Sequence, residues 1–218
     1  METLRILLAD DHPVVIKGLR SLLENQPGWQ VCGEACDGQE AVSKASELKP
    51  DVVVLDVSMP RLNGLEAARR IHSDLAGTEV LVLTVHESEE MVREALRAGV
   101  RGYLLKSDPS SELLDAIRTL SQHKPFLSHR ISQKLGAAGP FSSSGRSRKL
   151  LPDDPLSPRE RQIAQLLAEG KSTKDVASDL GISFKTAETH RANIMRKLDI
   201  HSTSELVRYA IRNNLVQP

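Results

Sequence analysis

The stretch "DVVVLDVSMPRLNG", residues 51–64, sets four apolar residues, Val52 to Leu55, directly against Asp56, and a loop marked by Pro60 and Gly64 follows. A short, continuously apolar run has the character of a strand buried on both faces, as in a parallel sheet covered by helices. A carboxylate at the end of such a strand is costly unless something compensates its charge. The fold and the function both follow from what that compensation is.

Similar runs recur through the first half of the chain. Strand candidates are "LRILLA" (4–9), "QVCGEA" (30–35), "DVVVLD" (51–56), "EVLVLT" (79–84) and "GYLLK" (102–106). Between and after them lie helical periods: "VVIKGLRSLLEN" (14–25), "QEAVSKASEL" (39–48), "GLEAARRIHSDL" (64–75), "SEEMVREALRAG" (88–99) and "PSSELLDAIRTLSQ" (109–122). In the fourth, Met91, Val92, Ala95, Leu96 and Ala98 gather on one face, and Gly99 closes it. Five βα units predict an α/β, flavodoxin-like, doubly wound parallel sheet with helices on both faces.

The remainder reads differently. An amphipathic piece, "PFLSHRISQKL" (125–135), is a candidate helix, and "GAAGPFSSSGRSRKLLPDDPLS" (136–157) has the Gly, Ser and Pro content of a flexible tether. From Ser157 the pattern is helical. "SPRERQIAQLLAEG" opens with Ser157 as N-cap, Pro158 at the first helical position and Glu160 completing a capping box. "STKDVASDLG", capped by Ser172 or Thr173, stops at Gly181; "SFKTAETHRANIMRKL" starts at Ser183, and "STSELVRYAIRNN" starts at Ser202. The short turn around Gly181 gives the second and third of these helices the form of a helix-turn-helix. The predicted organisation is a first domain over 1–122, a linker over 123–155 and a small all-α four-helix domain over 156–218.

Composition narrows the class. The net charge is zero over 218 residues, with 29 basic and 29 acidic side chains. Met1 to Lys124 carries 14 Lys and Arg against 20 Asp and Glu, a balance of −6, so the rest carries 15 against 9, or +6. A basic second half suggests a polyanionic partner. Cys32 and Cys36 lack the second pair a zinc site needs and read as free thiols in a reducing compartment. No apolar run approaches the ~18 residues of a membrane span, and the opening segment, stopped by Asp10 and Asp11, is a poor signal peptide. These features predict a cytoplasmic protein without a membrane partner.

Strand ends supply the chemistry. Asp10 and Asp11 follow the first strand and Asp56 ends the third. In a 2-1-3-4-5 strand order those two are neighbours at the switch point, where ligands bind. Three converging carboxylates repel one another, and a hard divalent cation such as Mg²⁺ removes that penalty. Thr84 and Lys106 end the fourth and fifth strands and add a hydroxyl and an ammonium suited to a phosphoryl group. Asp56 is then placed to attack a phosphoryl donor as a carboxylate nucleophile. Any one of these residues alone is an ordinary turn or cap residue; the combination is what points to chemistry.

"ADDHPVV", "VVLDVSMPRLNGLE", "LVLTVHE" and "AGVRGYLLKSD" resemble the receiver domain of two-component response regulators. The resemblance implies Asp56 as phosphoacceptor and a Mg²⁺ (or Mn²⁺) held by Asp10, Asp11, Asp56 and the backbone carbonyl of Ser58. It also implies Thr84 as switch hydroxyl, Tyr103 as switch aromatic and Lys106 as phosphate partner. Val85 stands where receivers most often have a smaller Ala, which bears on access to the phosphoryl group, and His86 and Ser58 occupy variable positions beside the site.

Residues 156–216 resemble the LuxR-type DNA-binding domain, so the whole chain is similar to NarL/FixJ-type response regulators. That resemblance implies DNA contacts by Lys185, Thr186, Glu188, Thr189, Arg191, Ala192, Arg196 and Lys197. Among these, Lys185, Glu188, Thr189 and Ala192 fall at base-reading positions, and Thr186, Arg191, Arg196 and Lys197 suit phosphates. The last helix implies a dimer contact through Val207, Tyr209, Ala210 and Ile211. Expected partners are a cognate sensor histidine kinase, promoter DNA and a second copy when active, with RNA polymerase a further candidate. The expected chemistry is Mg²⁺-dependent self-phosphorylation and autodephosphorylation at Asp56, without an enzyme's turnover of other substrates. Two other readings compete. A haloacid-dehalogenase-type phosphatase would need a second Asp where Ser58 stands. A phosphorylation-independent regulator, using its receiver only to dimerise, often loses an acidic residue or the Lys that this chain retains.

Overall fold

The computed structural model describes residues 3–135, 155–213 and 215–216. The tether expected at 136–157 therefore lies, for 136–154, outside the described residues. Contacts divide the chain after residue 143 into two compact units.

The first unit is a parallel sheet of six strands in the order β2-β1-β3-β4-β5-β6. Its strands are β1 (Leu4–Ala9), β2 (Trp29–Ala35), β3 (Val52–Leu55), β4 (Glu79–Thr84), β5 (Gly102–Leu105) and β6 (Phe126–Leu127). The connecting helices are α1 (Pro13–Glu24), α2 (Gly38–Leu48), α3 (Gly64–Asp74), α4 (Glu89–Arg97) and α5 (Ser110–Leu120), and α6 (His129–Leu135) follows β6. The middle residues of the central strands are apolar because both faces are covered. Leu7, Val53, Leu55, Val80, Val82 and Tyr103 pack under α2, α3 and α4. The alternate residues Ile6, Leu8, Val52, Val54, Leu81 and Leu104 pack under α1 and α5. The helix starts are fixed by side-chain caps: Asp37 accepts from the Glu40 amide, Asn63 from Glu66 and Ser88 from Met91. Gly99 follows α4 at φ 85°, the left-handed conformation that favours glycine there.

One element differs from the sequence reading. The amphipathic stretch 125–135 is not a single helix. Phe126 and Leu127 run parallel to β5, opposite Gly102 and Tyr103, and the chain turns at the fully buried Ser128 before α6 begins. The edge of β5 offers unpaired backbone groups, and tertiary pairing with them overrides local periodicity. The Phe126 amide donates to the Arg101 carbonyl at 2.9 Å, and the Ser128 amide donates to that of Tyr103 at 3.0 Å.

The second unit holds α7 (Pro158–Ala168), α8 (Thr173–Asp179), α9 (Phe184–Leu198) and α10 (Thr203–Arg212) around Leu156, Ile163, Leu167, Val176, Ile194, Leu206 and Ala210. Ser172, rather than Thr173, caps α8, and the turn to α9 passes through Gly181 at φ 62°. The buried face of α9 is Ala187 and Ile194, and Met195 and Leu198 beside it are half-buried. Glu160 carries the packing of α7 on α9. Its carboxylate accepts from the Ser157 amide at 2.8 Å and from Lys197 Nζ at 2.6 Å, and is almost wholly buried.

Burial works to raise the Glu160 carboxyl, but the Lys197 ammonium and the Ser157 amide and hydroxyl outweigh it and hold it at about 2, below the ordinary 4.5. A carboxyl depressed in the folded state contributes stability that is fully present above pH 4.5 and is lost as pH falls towards 2. Acid titration of unfolding, followed by helical circular dichroism, is expected to show Glu160→Gln destabilised by about 2 kcal/mol at neutral pH. The difference from the native chain should shrink steadily below pH 4.5.

Candidate functional site: an acidic switch point and a basic helix

Because β1 and β3 are adjacent and in register, with Ala9 opposite Leu55, the residues that follow them emerge side by side. The Asp56 amide donates to the Ala9 carbonyl at 2.8 Å, and the Lys106 amide donates to the Thr84 carbonyl at 2.8 Å. Backbone pairing one step beyond the strands thus places Asp10, Asp56, Thr84 and Lys106 at the carboxyl edge of one sheet.

Asp10 and Asp56 are only 4% and 3% exposed. Between them stands the Lys106 ammonium, with Nζ 2.7 Å from Asp10 Oδ2 and 2.8 Å from Asp56 Oδ2. Asp56 Oδ1 accepts from the Val57 amide at 2.8 Å. Burial raises the Asp56 carboxyl above its ordinary range, and Lys106 opposes that rise. Burial likewise works against the ammonium of Lys106, yet its hydrogen bonds to Asp10 and Asp56 outweigh the cost and raise its pKa. Lys106 is therefore a fixed positive charge against which both carboxylates are held.

The loop after Asp56 folds back on it. Gly64 donates to the Val57 carbonyl at 2.8 Å, and a Cβ at Gly64 would run into the Asp56 carbonyl oxygen. Only glycine permits that approach. The expectation that Gly64 shapes a tight loop therefore has a specific steric cause.

Asp10, Asp11, His12 and Asp56 each offer one ligand atom within 4.8 Å of the others. The carboxylate oxygens suit a hard divalent cation, so the donor set fits Mg²⁺ or Mn²⁺. His12 is the member that the sequence reading missed. Its Nδ1 lies 2.8 Å from Asp11 Oδ1 and 3.1 Å from Asp10 Oδ1. Its position inside "ADDHPVV" was visible, but not that its ring turns back over the carboxylates.

On the far side, Thr84 and Tyr103 are fully buried. Tyr103 Oη donates to the His86 carbonyl at 2.7 Å, and the His86 amide donates to Thr84 Oγ1 at 3.3 Å. His86 Nε2 and Ser58 Oγ lie 2.9 Å apart, joining the loops that follow β4 and β3. Val85 is 64% exposed at the surface beside them.

In the second unit, Lys185, Thr186, Glu188, Thr189, Arg191, Ala192, Arg196 and Lys197 all lie exposed along α9. They are not equivalent. Lys197 is held by Glu160, whereas Arg191 reaches Thr173 Oγ1 at 3.3 Å and Arg196 reaches Asn193 Oδ1 at 3.0 Å. Thr186 Oγ1 pairs with Ser183 Oγ at the helix start, and Thr189 Oγ1 donates to the Lys185 carbonyl. On α10, Ala210 is fully buried in its own domain's core, which removes it from the expected dimer surface. Val207, Tyr209 and Ile211 are half-buried and keep part of their surface.

Comparison with known proteins gives these two sites a common context. Residues 6–118 match the response regulator receiver domain, and residues 154–210 match the bacterial regulatory proteins of the luxR family. The transcriptional regulatory protein LiaR of Bacillus subtilis is 39% identical over 213 residues, covering 98% of this chain and 99% of that protein. The crystal structure of ChrA, the response regulator of a heme-sensing two-component system, is 33% identical with a TM-score of 0.53, covering 99% of this chain and all of that one. A structure of two RcsB dimers bound to two parallel DNAs is 26% identical with a TM-score of 0.58, covering 95% and 98% of the two chains.

The chain belongs to the two-component response regulators, with a receiver domain joined to a LuxR-type DNA-binding domain. Its receiver implies a histidine kinase as partner and its helix-turn-helix implies DNA, which together make it a regulator of transcription. Among the described residues no helix is long and apolar enough to cross a membrane.

Removing the positive charge between Asp10 and Asp56 tests how the site is held together. Lys106→Met leaves two nearly buried carboxylates facing one another, at an expected cost of about 3 kcal/mol in metal-free buffer. Thermal unfolding with EDTA and with Mg²⁺ is expected to show a larger Mg²⁺-induced rise in Tm for the variant than for the native chain.

Proposed function

We propose that Asp56 accepts a phosphoryl group from a sensor histidine kinase, and that the modified receiver controls DNA binding by α9. The observation that supports this most directly is the placement of Asp56. It is a buried carboxylate held between the Val57 amide and the Lys106 ammonium, beside Asp10. Asp10, Asp11, Asp56 and the Ser58 carbonyl would hold Mg²⁺ (or Mn²⁺), which neutralises charge on the phosphoryl oxygens when bound. A carboxylate oxygen of Asp56 forms the new bond to phosphorus while the bond to the donor's imidazole nitrogen breaks, the electron pair leaving with that nitrogen. Lys106 Nζ follows the charge from the carboxylate to a phosphoryl oxygen. Thr84 Oγ1 exchanges the His86 amide for another. Hydrolysis of the acyl phosphate returns Asp56 to its starting state, so the receiver switches itself off.

In this reading 1–122 is the receiver, 123–155 the linker and 156–218 the output domain, working in the cytoplasm. The added charge of about −1.5 to −2 repacks Tyr103 and the 88–106 surface. That change frees α9 or promotes dimerisation, with Val207, Tyr209 and Ile211 at the dimer contact and RNA polymerase as the downstream partner. Two copies then read a two-fold symmetric site. Lys185, Glu188, Thr189 and Ala192 face the bases, while Thr186, Arg191 and Arg196 face phosphates, and Lys197 chiefly anchors α9 to α7.

Phosphotransfer from a purified kinase, or from acetyl phosphate with Mg²⁺, is expected to give an alkali-labile label on the native chain and none on Asp56→Asn. Label retained on the variant overturns the assignment. For the output domain, Arg191→Ala is expected to weaken binding to specific and non-specific duplexes alike and to lower the slope of log K against log salt by about one. A loss confined to one base position would instead make Arg191 a base reader.

A further inference from the structure

Helix α6, the first helix after the sheet, is tied to the loop that follows β4. Glu87 lies three residues beyond Thr84 in that loop and receives both cations of α6. Arg130 Nη2 is 3.2 Å from Glu87 Oε2, and Lys134 Nζ is 3.1 Å from Glu87 Oε1. Arg130 also reaches across to the β5–α5 loop, with Nη1 3.0 Å from Ser107 Oγ and 4.0 Å from Asp108 Oδ1. Asp108 is fully buried as a side chain, its Oδ1 has no hydrogen-bond partner, and Arg130 supplies its counter-charge. Beneath these polar ties Ile131 is buried in the core cluster that contains Tyr103 and Met91, with Leu127 and Leu135 packed against it. The helix thus straddles the two loops that carry Thr84 and Lys106.

The position of the Thr84 loop that α6 grips belongs to the unphosphorylated site. Thr84 Oγ1 is engaged by the amide of His86, next to Glu87, and Lys106 is engaged by both carboxylates. If Thr84 turns towards a phosphoryl group it gives up the first of these bonds, and the short loop between Thr84 and Ser88, the N-cap of α4, has to take up the change. Glu87 lies within that loop, so its two ion pairs to α6 are the contacts that such a change would disturb.

We propose that Glu87 is a positioning residue that couples the phosphorylation site to the interdomain linker: it holds α6 on the receiver while Asp56 is unmodified and releases it when Thr84 turns. This rests on Asp56 being the phosphoacceptor. Each ion pair is half-exposed and individually weak, so a switch of this size can break both and loosen α6 while Ile131 stays buried. Reciprocity follows: whatever loosens α6 favours the phosphorylated state of the site by the same factor.

Hydrogen exchange of the full chain with Mg²⁺, with and without beryllofluoride, reads both ends of the coupling. In the native chain beryllofluoride is expected to change exchange at 84–88 and to speed exchange at 129–135 about fivefold. Glu87→Gln is expected to show fast exchange at 129–135 before any addition and no further rise on addition, with half-saturation by beryllofluoride at about fivefold lower concentration. Lys134→Gln, which removes one of the two pairs, should show part of each effect and serves if Glu87→Gln folds poorly. A native response at 84–88 with 129–135 unchanged overturns the coupling alone. A full response at 129–135 in both variants overturns the role of Glu87. If 84–88 does not respond, or responds equally in Asp56→Asn, the phosphoacceptor reading fails and the coupling fails with it.

Discussion

The Lys106 ammonium lying between the carboxylates of Asp10 and Asp56 is the interaction on which the rest of this receiver depends. Two nearly buried carboxylates at the end of a parallel sheet would otherwise repel one another in a medium that screens poorly. One cation from the end of β5 makes their proximity tolerable. The same cation is the group a phosphoryl oxygen would need beside Asp56. In the proposed phosphotransfer, the electrostatic solution to a folding problem would also be a preorganised site for a phosphoryl oxygen.

That site is coupled outwards by short contacts rather than long ones. From Thr84 the connection runs through the His86 amide and carbonyl to Tyr103 Oη, and through Glu87 to Arg130 and Lys134. Each contact is modest, and several are exposed to solvent, so none of them fixes the fold. Their weakness suits the proposed switch, in which a few kcal/mol from one new phosphoryl group would rearrange them. Glu160 and Lys197 in the output domain behave in the opposite way. Their pair is nearly buried on the acidic side and supports the capping box of α7, so it belongs to the stability of the helix-turn-helix rather than to its response.

Much of this was legible in the sequence, and the reasons are local. Val52 to Leu55, Val80 to Leu83 and their counterparts announced buried strands, because a doubly covered sheet needs apolar residues on both faces. Ser157, Ser183, Ser202 and the Ser172–Thr173 pair marked the helix starts of the second domain, and the four caps form at the serines. The convergence of Asp10, Asp56, Thr84 and Lys106 followed from strand order alone. What local pattern did not show was pairing: Phe126 and Leu127 have the periodicity of a helix and become a strand because β5 offers an open edge. Likewise, Ala210 looked like a surface residue of α10 until the packing of α10 on α7 buried it.

The sequence by itself determined the two-part organisation, the βα alternation and the identity of the groups at the strand ends, because these depend on residue type and spacing along the chain. Only the tertiary structure decided what each charge is paired with. Lys106 is shared between two carboxylates, His12 turns over Asp10 and Asp11, Lys197 is drawn away to Glu160, and Glu87 holds α6. Pairing across tens of residues is set by how helices close on a sheet or on one another. No periodicity along the chain encodes the direction in which a long charged side chain will reach.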